Sequence, residues 1–252
     1  MRTRKEILDN WNKIKIKADM LGKNDPVSLI NFWSDMLKSM DIIDPFNYEY
    51  YDGVVNLQVN NKAPVTIDSV IPPFVGSLVD MFMGYQYSTA TLVFDAANSE
   101  VTRVDPKMTD LLEESGELEE IELYIRLCPV PSKTLSGRTT WSLANAFCNN
   151  SKVKSIKLQQ LVGDDLVANT MFMFRNGKLT DLYINPDIHF RNVKKSLCMF
   201  DGYCGPVLDV HNLLLRDELS FNGCYAKKII MSEFTEKEFN SLNSVRRELH
   251  GQ

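Results

Sequence analysis

Residues 120–141, EIELYIRLCPVPSKTLSGRTTW, decide how this chain is read. The first half alternates without interruption. Ile121, Leu123, Ile125 and Leu127 point one way, and Glu122, Tyr124, Arg126 and Cys128 the other. That is the period of a strand with one buried face. Pro129 and Pro131 then withdraw two backbone donors, so pairing is expected to stop there. Ser136-Gly137 turns the chain into the β-branched pair Thr139-Thr140. A strand, a proline stop and a Thr-rich return read as the edge of a β-sandwich.

Upstream, Ile7, Trp11, Ile14, Ala18 and Leu21 fall on one stripe of a helix over 4–21, which Gly22 is placed to stop. Arg2, Arg4, Lys5, Lys13, Lys15 and Lys17 crowd its other faces. The stripe has three readings: packing on its own domain, an arm that docks on a neighbouring subunit, or a membrane-surface helix. A second helix is expected over 26–40, with Asp25 as cap and Pro26 in the first turn. Strands are expected at 55–59, entered through Asp52-Gly53, and at 65–67 and 89–94, with a short buried helix over 71–83 between them.

Downstream, strands are expected at 153–161, 169–174 and 179–184, the last two joined as a hairpin through Asn176-Gly177. Short strands follow at 197–199 and 229–231, with a helix over 207–215 between them. Thr235 and Glu238 form a capping box, and Phe234 and Phe239 its staple, for a helix over 236–249 that buries Leu242, Val245 and Leu249. No internal repeat is read from the sequence. The expected fold is mainly β: an antiparallel jelly-roll-like sandwich over 50–232, preceded by N-terminal helices, with 1–22 as an amphipathic arm and 235–250 as a C-terminal helix, all in one domain.

Composition narrows the function classes. The chain has 252 residues, 44% apolar and 24% charged, which suits a soluble globular protein and excludes a disordered one. Its net charge of −5 disfavours general binding to nucleic acid. Cys128, Cys148, Cys198, Cys204 and Cys224 lack CxxC spacing and read as buried reduced thiols. The basic start MRTRKEILDNW is not followed by a signal-peptide core, and no apolar run approaches the ~18 residues of a membrane span. Synthesis and retention in the cytosol are expected.

Candidate chemistry is thin. Gly163-Asp164-Asp165, preceded by Ser136-Gly137 and Asn145, resembles the ordered motifs of viral RNA polymerases, whose paired aspartates hold Mg²⁺. Only 26 residues separate Gly137 from Gly163, and the chain is too short for the surrounding polymerase lobes. A turn between strands is the better reading. His189, His211 and His250, with Cys198 and Cys204, have no zinc-ligand spacing. Gly202-Tyr203-Cys204-Gly205-Pro206 is a turn cluster without the Lys-Ser/Thr of a phosphate loop. The glutamates Glu113, Glu114, Glu117, Glu119 and Glu120 read as solvated loop charges. Lys152, Lys154 and Lys157, with Arg191, Lys194, Lys195, Lys227 and Lys228, read either as a nucleic-acid stripe or as solvated faces and partners for that acidic stretch. No cofactor and no metal site are expected.

The run CPVPSKT followed by Ser-Gly and a Thr-rich return resembles an edge of single jelly-roll proteins of RNA viruses. Its spacing to FMFRNGK is similar to that in plant-virus movement proteins of the tobamovirus type, which implies RNA binding. The overall plan of a basic first helix, a sandwich of this length and a capped last helix resembles the cypovirus polyhedrins. That resemblance implies a non-enzymatic viral structural protein that self-assembles into an occlusion-body lattice in the host cytoplasm and protects virions. The implied partners are other copies of the chain, with trimers as one building unit of the lattice, and virions. Ile7, Trp11, Ile14, Ala18 and Leu21 would make the contact between subunits. Tyr48, Tyr50 and Tyr51 would form an alkali-sensitive cluster, since phenols ionise near pH ~10. The alternative is an RNA-binding movement or capsid protein with a jelly-roll core.

Overall fold

The computed structural model describes residues 4–95, 111–112, 114–127, 141–148 and 152–240. Several sequence expectations lie outside them: the Cys128–Pro131 stop, the Ser136-Gly137 turn, Thr139-Thr140, Glu113, His250, and the helical positions Leu242, Val245 and Leu249.

The chain opens as the helical pattern demands. Helix α1 spans Arg4–Met20 and buries Ile7, Trp11 and Ala18. Gly22, at φ 65°, ends it, and the Lys23 N–H donates back to the Ala18 carbonyl at 2.9 Å. A glycine past the last turn gives the left-handed residue that this closing bond needs. Helix α2 spans Pro26–Ser39, and the Asp25 carboxylate accepts from the Ser28 N–H at 2.9 Å as its cap. Strands β1 (Phe46–Tyr51) and β2 (Val54–Val59) form an antiparallel hairpin closed by Asp52 and Gly53, both at positive φ. Strand β1 was absent from the sequence reading.

Beyond the hairpin the architecture departs from a sandwich. Strands β3 (Thr89–Asp95), β4 (Glu120–Arg126), β6 (Ser155–Val162) and β8 (Asp181–Ile184) form one sheet in that order, and every pairing in it is parallel. β9 (Val207–Val210) and β10 (Lys228–Met231) pair in parallel too. So do β5 (Trp141–Ser142) and β7 (Val167–Asn169). The antiparallel jelly roll over 50–232 is therefore overturned. Alternation in β4 located a half-buried face correctly, but the period of a strand carries no information about its neighbour's direction.

The chain instead winds in coils. β6, β8 and β9 begin at Ser155, Asp181 and Val207, 26 residues apart. Between strands the backbone crosses to a second ladder and returns, so each new strand runs the same way as the last. In that ladder Phe147 N–H donates to Met173 O, Phe174 N–H to Met199 O, and Phe200 N–H to Ser220 O. Phe147, Phe174, Phe200 and Phe221 stack in one column with centroids 5.6, 6.0 and 5.4 Å apart. Such a stack of coils is a solenoid, in which each repeat buries its apolar side against the next.

Other expectations are corrected by the same winding. Residues 65–67 are not a strand; the Val65 carbonyl accepts the Thr91 N–H from β3 at 3.1 Å. Residues 71–83 form turns rather than a helix, held to β2 by a bridge between Asn56 and Ser77, with Val75, Leu78 and Phe82 buried under the hairpin. Asn176-Gly177 joins no hairpin. The Asn176 side chain is buried, donating to Val153 O and accepting from Lys178 N–H, both at 2.9 Å. Gly202 passes directly over it, at φ 80°, where a Cβ would meet the Gly177 nitrogen at 2.9 Å. The stretch expected as a helix over 207–215 begins as β9.

Both ends of the stack are covered. At the first end lie α1, α2 and the hairpin, with Trp11, Trp33 and Phe74 in mutual contact at 5.3–6.0 Å. At the other, helical turns over 233–240 bring Phe239 against Phe221 at 6.1 Å. Their cap is Ser232, not Thr235. The Ser232 hydroxyl accepts the Thr235 N–H, while Thr235 is buried and accepts the Leu215 N–H. Phe234 lies under the Arg216 guanidinium instead of closing a staple with Phe239.

Candidate interaction face of the parallel sheet

The residues singled out from sequence are dispersed. Of the α1 stripe, Ile7, Trp11 and Ala18 are buried within the chain's own core, and Ile14 packs against it. Leu21 alone is well exposed, at 58%. The stripe thus packs largely against α2 and Phe74 within the chain itself. Tyr48 rests on Phe74 at 5.9 Å and donates to Asp44 at 2.6 Å, whereas Tyr50 and Tyr51 stand exposed beside the hairpin turn. The three tyrosines therefore do not share one environment.

The Gly163-Asp164-Asp165 motif is a turn. Gly163 sits at φ 88° and a single 3-10 turn follows at Asp164–Leu166. The Asp164 carboxylate accepts the N–H groups of His189 and Phe190 at 2.7 and 3.0 Å, locking one coil to the next. It is occupied by backbone donors, as a structural aspartate is. Among the described residues no three His, Cys, Asp or Glu side chains are gathered to hold a metal ion. His211 pairs with Asp209 at 2.6 Å, and the His189 ring bonds the Asn212 carbonyl. Cys204 is exposed, and Cys198 is buried beside Asn222.

The basic stretch also resolves locally. Lys152, Lys154 and Lys157 form ion pairs with Glu117, Glu119 and Glu120 of the neighbouring chain segment. These pairs satisfy the second reading of those lysines.

What the coils do assemble is a continuous outward sheet face. Inward positions Ala90, Ile121, Ile156 and Leu182 are in register and buried. One residue on, Thr91, Glu122, Lys157 and Tyr183 form the outward row. Parallel strands place such neighbours ~4.8 Å apart. Within this face Lys157 binds Glu120 at 2.6 Å, which holds its ammonium above the ordinary lysine range, and Gln159 donates to Glu122 at 3.3 Å.

A bulge shapes the centre of the face. Leu123 pairs with Leu158 but Tyr124 pairs with Gln160, so Gln159 is an extra residue in β6. Bulges re-aim side chains and recur beside functional sites. Here the bulge turns two successive carboxamides outward. They border a depression of about 340 Å³ lined by Tyr124, Gln160, Val162, Asn185 and Asp187. Val162 and Tyr183 are 43% and 41% exposed, large apolar surfaces standing among hydrogen-bonding groups. Amphipathic aromatics thus stand among adaptable amides on this face, the composition common at protein recognition surfaces.

Tyr183, Gln159, Gln160 and Asn185 were not picked out from sequence. The signal that finds Tyr183 is the recurrence of a buried pair around one outward residue: Ile156 and Leu158, Leu182 and Ile184, Leu208 and Val210; Gln159 and Asn185 directly follow the first two pairs. It marks equivalent strands once the 26-residue interval is seen.

Among the described residues no helix is long and apolar enough to cross a membrane. No protein-family model matches the chain, no curated protein matches it, and no solved structure matches it.

Proposed function

We propose that this protein is a non-enzymatic assembly protein, a capped solenoid that binds other protein surfaces through the outward face of its parallel sheet. The observation that carries the reading is the registered outward row with the Tyr124–Gln160 depression at its centre. Solenoids use such continuous faces for recognition because each coil adds one more row of contacts. The covering of both ends by helices argues against growth through end-to-end stacking, so association is assigned to the side of the stack. Self-assembly into a lattice around virions is the form of this reading in which the partner is another copy. RNA as partner is disfavoured by the net charge of −5 and by the pairing of Lys152, Lys154 and Lys157 with glutamates.

The test compares the wild-type chain with Tyr124→Ala/Tyr183→Ala by sedimentation velocity over a concentration series, alone and in extract from cells making the protein. The double variant is expected to lose the larger species while keeping its far-ultraviolet circular dichroism. Met20→Ser/Leu21→Ser, on the exposed part of α1, is expected to retain them. The reading fails if the sheet-face variant sediments as the wild type does, or if the wild type remains monomeric in both settings.

A further inference from the structure

The depression on the sheet face carries hydrogen-bonding groups that the fold holds in place and leaves half-used. Gln159, the extra residue of the bulge, gives its Nε2 to Glu122 at 3.3 Å, which leaves the carboxamide oxygen as an acceptor. Asn185 is pinned more firmly. Its N–H donates to the Leu158 carbonyl at 3.0 Å, its own carbonyl accepts from Asn212 Nδ2 at 3.1 Å, and its side-chain oxygen accepts the Asp187 N–H at 2.9 Å. That leaves the Asn185 Nδ2 as a donor. The Gln160 carboxamide and the Asp187 carboxylate complete the polar lining, with no protein partner among the described residues.

The rest of the lining is apolar and includes Tyr124, Leu161 and Ile188, the last two buried. No lysine or arginine lines the depression, and Asp187 is its only acid. At about 340 Å³ it lies at the low end of small-molecule sites, which run from about 300 to 1,000 Å³. A wholly apolar ligand would leave the amides without partners. An anion would meet Asp187 and no countercharge, and a cation would find a single exposed carboxylate, which binds weakly. Mixed donors and acceptors around an apolar lining suit a neutral ring instead. Each of its hydroxyls both donates and accepts, and its C–H face is apolar enough to lie on an aromatic ring.

We propose that this depression binds an uncharged pyranose, the unit of a neutral glycan. The C–H face of the sugar lies on the Tyr124 ring, and its hydroxyls engage the Gln159 oxygen, the Asn185 Nδ2, the Gln160 carboxamide and the Asp187 carboxylate. Gln160 and Asp187 are exposed, so the depression is open on its outer side and the ring can be one residue of a longer chain. This binding goes beyond the association proposed above, since it needs the depression alone and no protein partner.

The probes are methyl β-D-glucopyranoside, methyl β-D-galactopyranoside and methyl α-D-mannopyranoside, titrated into the full chain and read through the side-chain amide resonances of Gln159, Gln160 and Asn185 in ¹H–¹⁵N spectra. A saturable shift is expected from at least one of them. Glycerol, which has hydroxyls without a ring face, and cyclohexanol, which has a ring without the set of hydroxyls, are expected to give none. Gln160→Ala, at an exposed position that the fold does not depend on, is expected to weaken binding about fivefold, the scale of one lost neutral hydrogen bond. Val162→Trp fills the depression and is expected to abolish binding. No saturable shift from any of the three pyranosides, a response shared by glycerol or cyclohexanol, or one left unchanged by Gln160→Ala overturns the proposal. The association of the sheet face is decided separately. A pyranoside response in a chain that stays monomeric keeps the sugar site and removes the association. Loss of the larger species in Tyr124→Ala/Tyr183→Ala without any pyranoside response does the reverse.

Discussion

At the scale of single residues, the side chains that matter most are polar ones that link successive coils, and their roles were not visible in their local sequence. Asn176 followed by glycine is a strong hairpin signal, yet the buried carboxamide serves as a bracket between the Val153 carbonyl and the Lys178 amide. Asn176→Ala is expected to cost about 1–3 kcal/mol, because the Val153 acceptor is left without that donor inside the stack. Urea unfolding measures this, and a loss below a few tenths would mean that water substitutes freely. Tyr48 sets a pH limit. Burial first, then the charge and hydrogen bond of Asp44, raises its pKa well above the ordinary 10.0. The folded chain therefore keeps a proton that the unfolded chain releases. The stabilising contribution is full below about pH 10 and is lost as pH rises towards the folded value. Thermal melts from pH 8 to 11 should show wild-type stability falling above pH 10 more steeply than that of Tyr48→Phe. Parallel curves would sink the assignment. Asp44, raised in the same sense, loses its own contribution at lower pH, above the ordinary carboxylate range.

At the scale of elements, α1, α2 and β4 were legible because each declares itself within one short window. Gly22, Asp25 and Pro26 mark helix ends through backbone geometry alone, and the alternation of Ile121, Leu123 and Ile125 marks a buried face. Strand direction was not legible, since it depends on where the chain goes in the intervening 20–30 residues. The Phe column was hidden for a related reason: Phe147, Phe174 and Phe200 each sit in a turn and Phe221 ends a 3-10 helix over Glu218–Phe221. Nor could the amphipathic stripe of α1 say which surface it would meet. It meets Trp33 and Phe74, with ring centroids 5.3 and 5.4 Å from Trp11. Trp11→Ala is therefore expected to cost about 3–5 kcal/mol of folding stability. A docking arm would behave differently, losing oligomer mass with monomer stability unchanged. Denaturation of the dilute, monomeric chain separates these outcomes.

At the scale of the whole molecule, the solenoid implies a particular way of coming apart. In a sandwich, distant strands share one core and unfold together, whereas a stack of coils is held by contacts between neighbours only. Phe200 is fully buried in the middle of the column, 6.0 Å from Phe174 on one side and 5.4 Å from Phe221 on the other. Phe200→Ala removes both contacts and leaves a cavity, a change expected to cost about 3–5 kcal/mol if the chain unfolded as one unit. The fold predicts that this loss is borne unevenly. Amides of β9 and β10, beyond the break, should exchange much faster with solvent, while those of β3 and β4, on the intact side, keep nearly their wild-type protection. Native-state hydrogen exchange resolves the two groups directly. Uniform acceleration across β3, β4, β9 and β10 would show that one cooperative core spans the chain, and would remove the coil-by-coil account of how the sheet face is held in register.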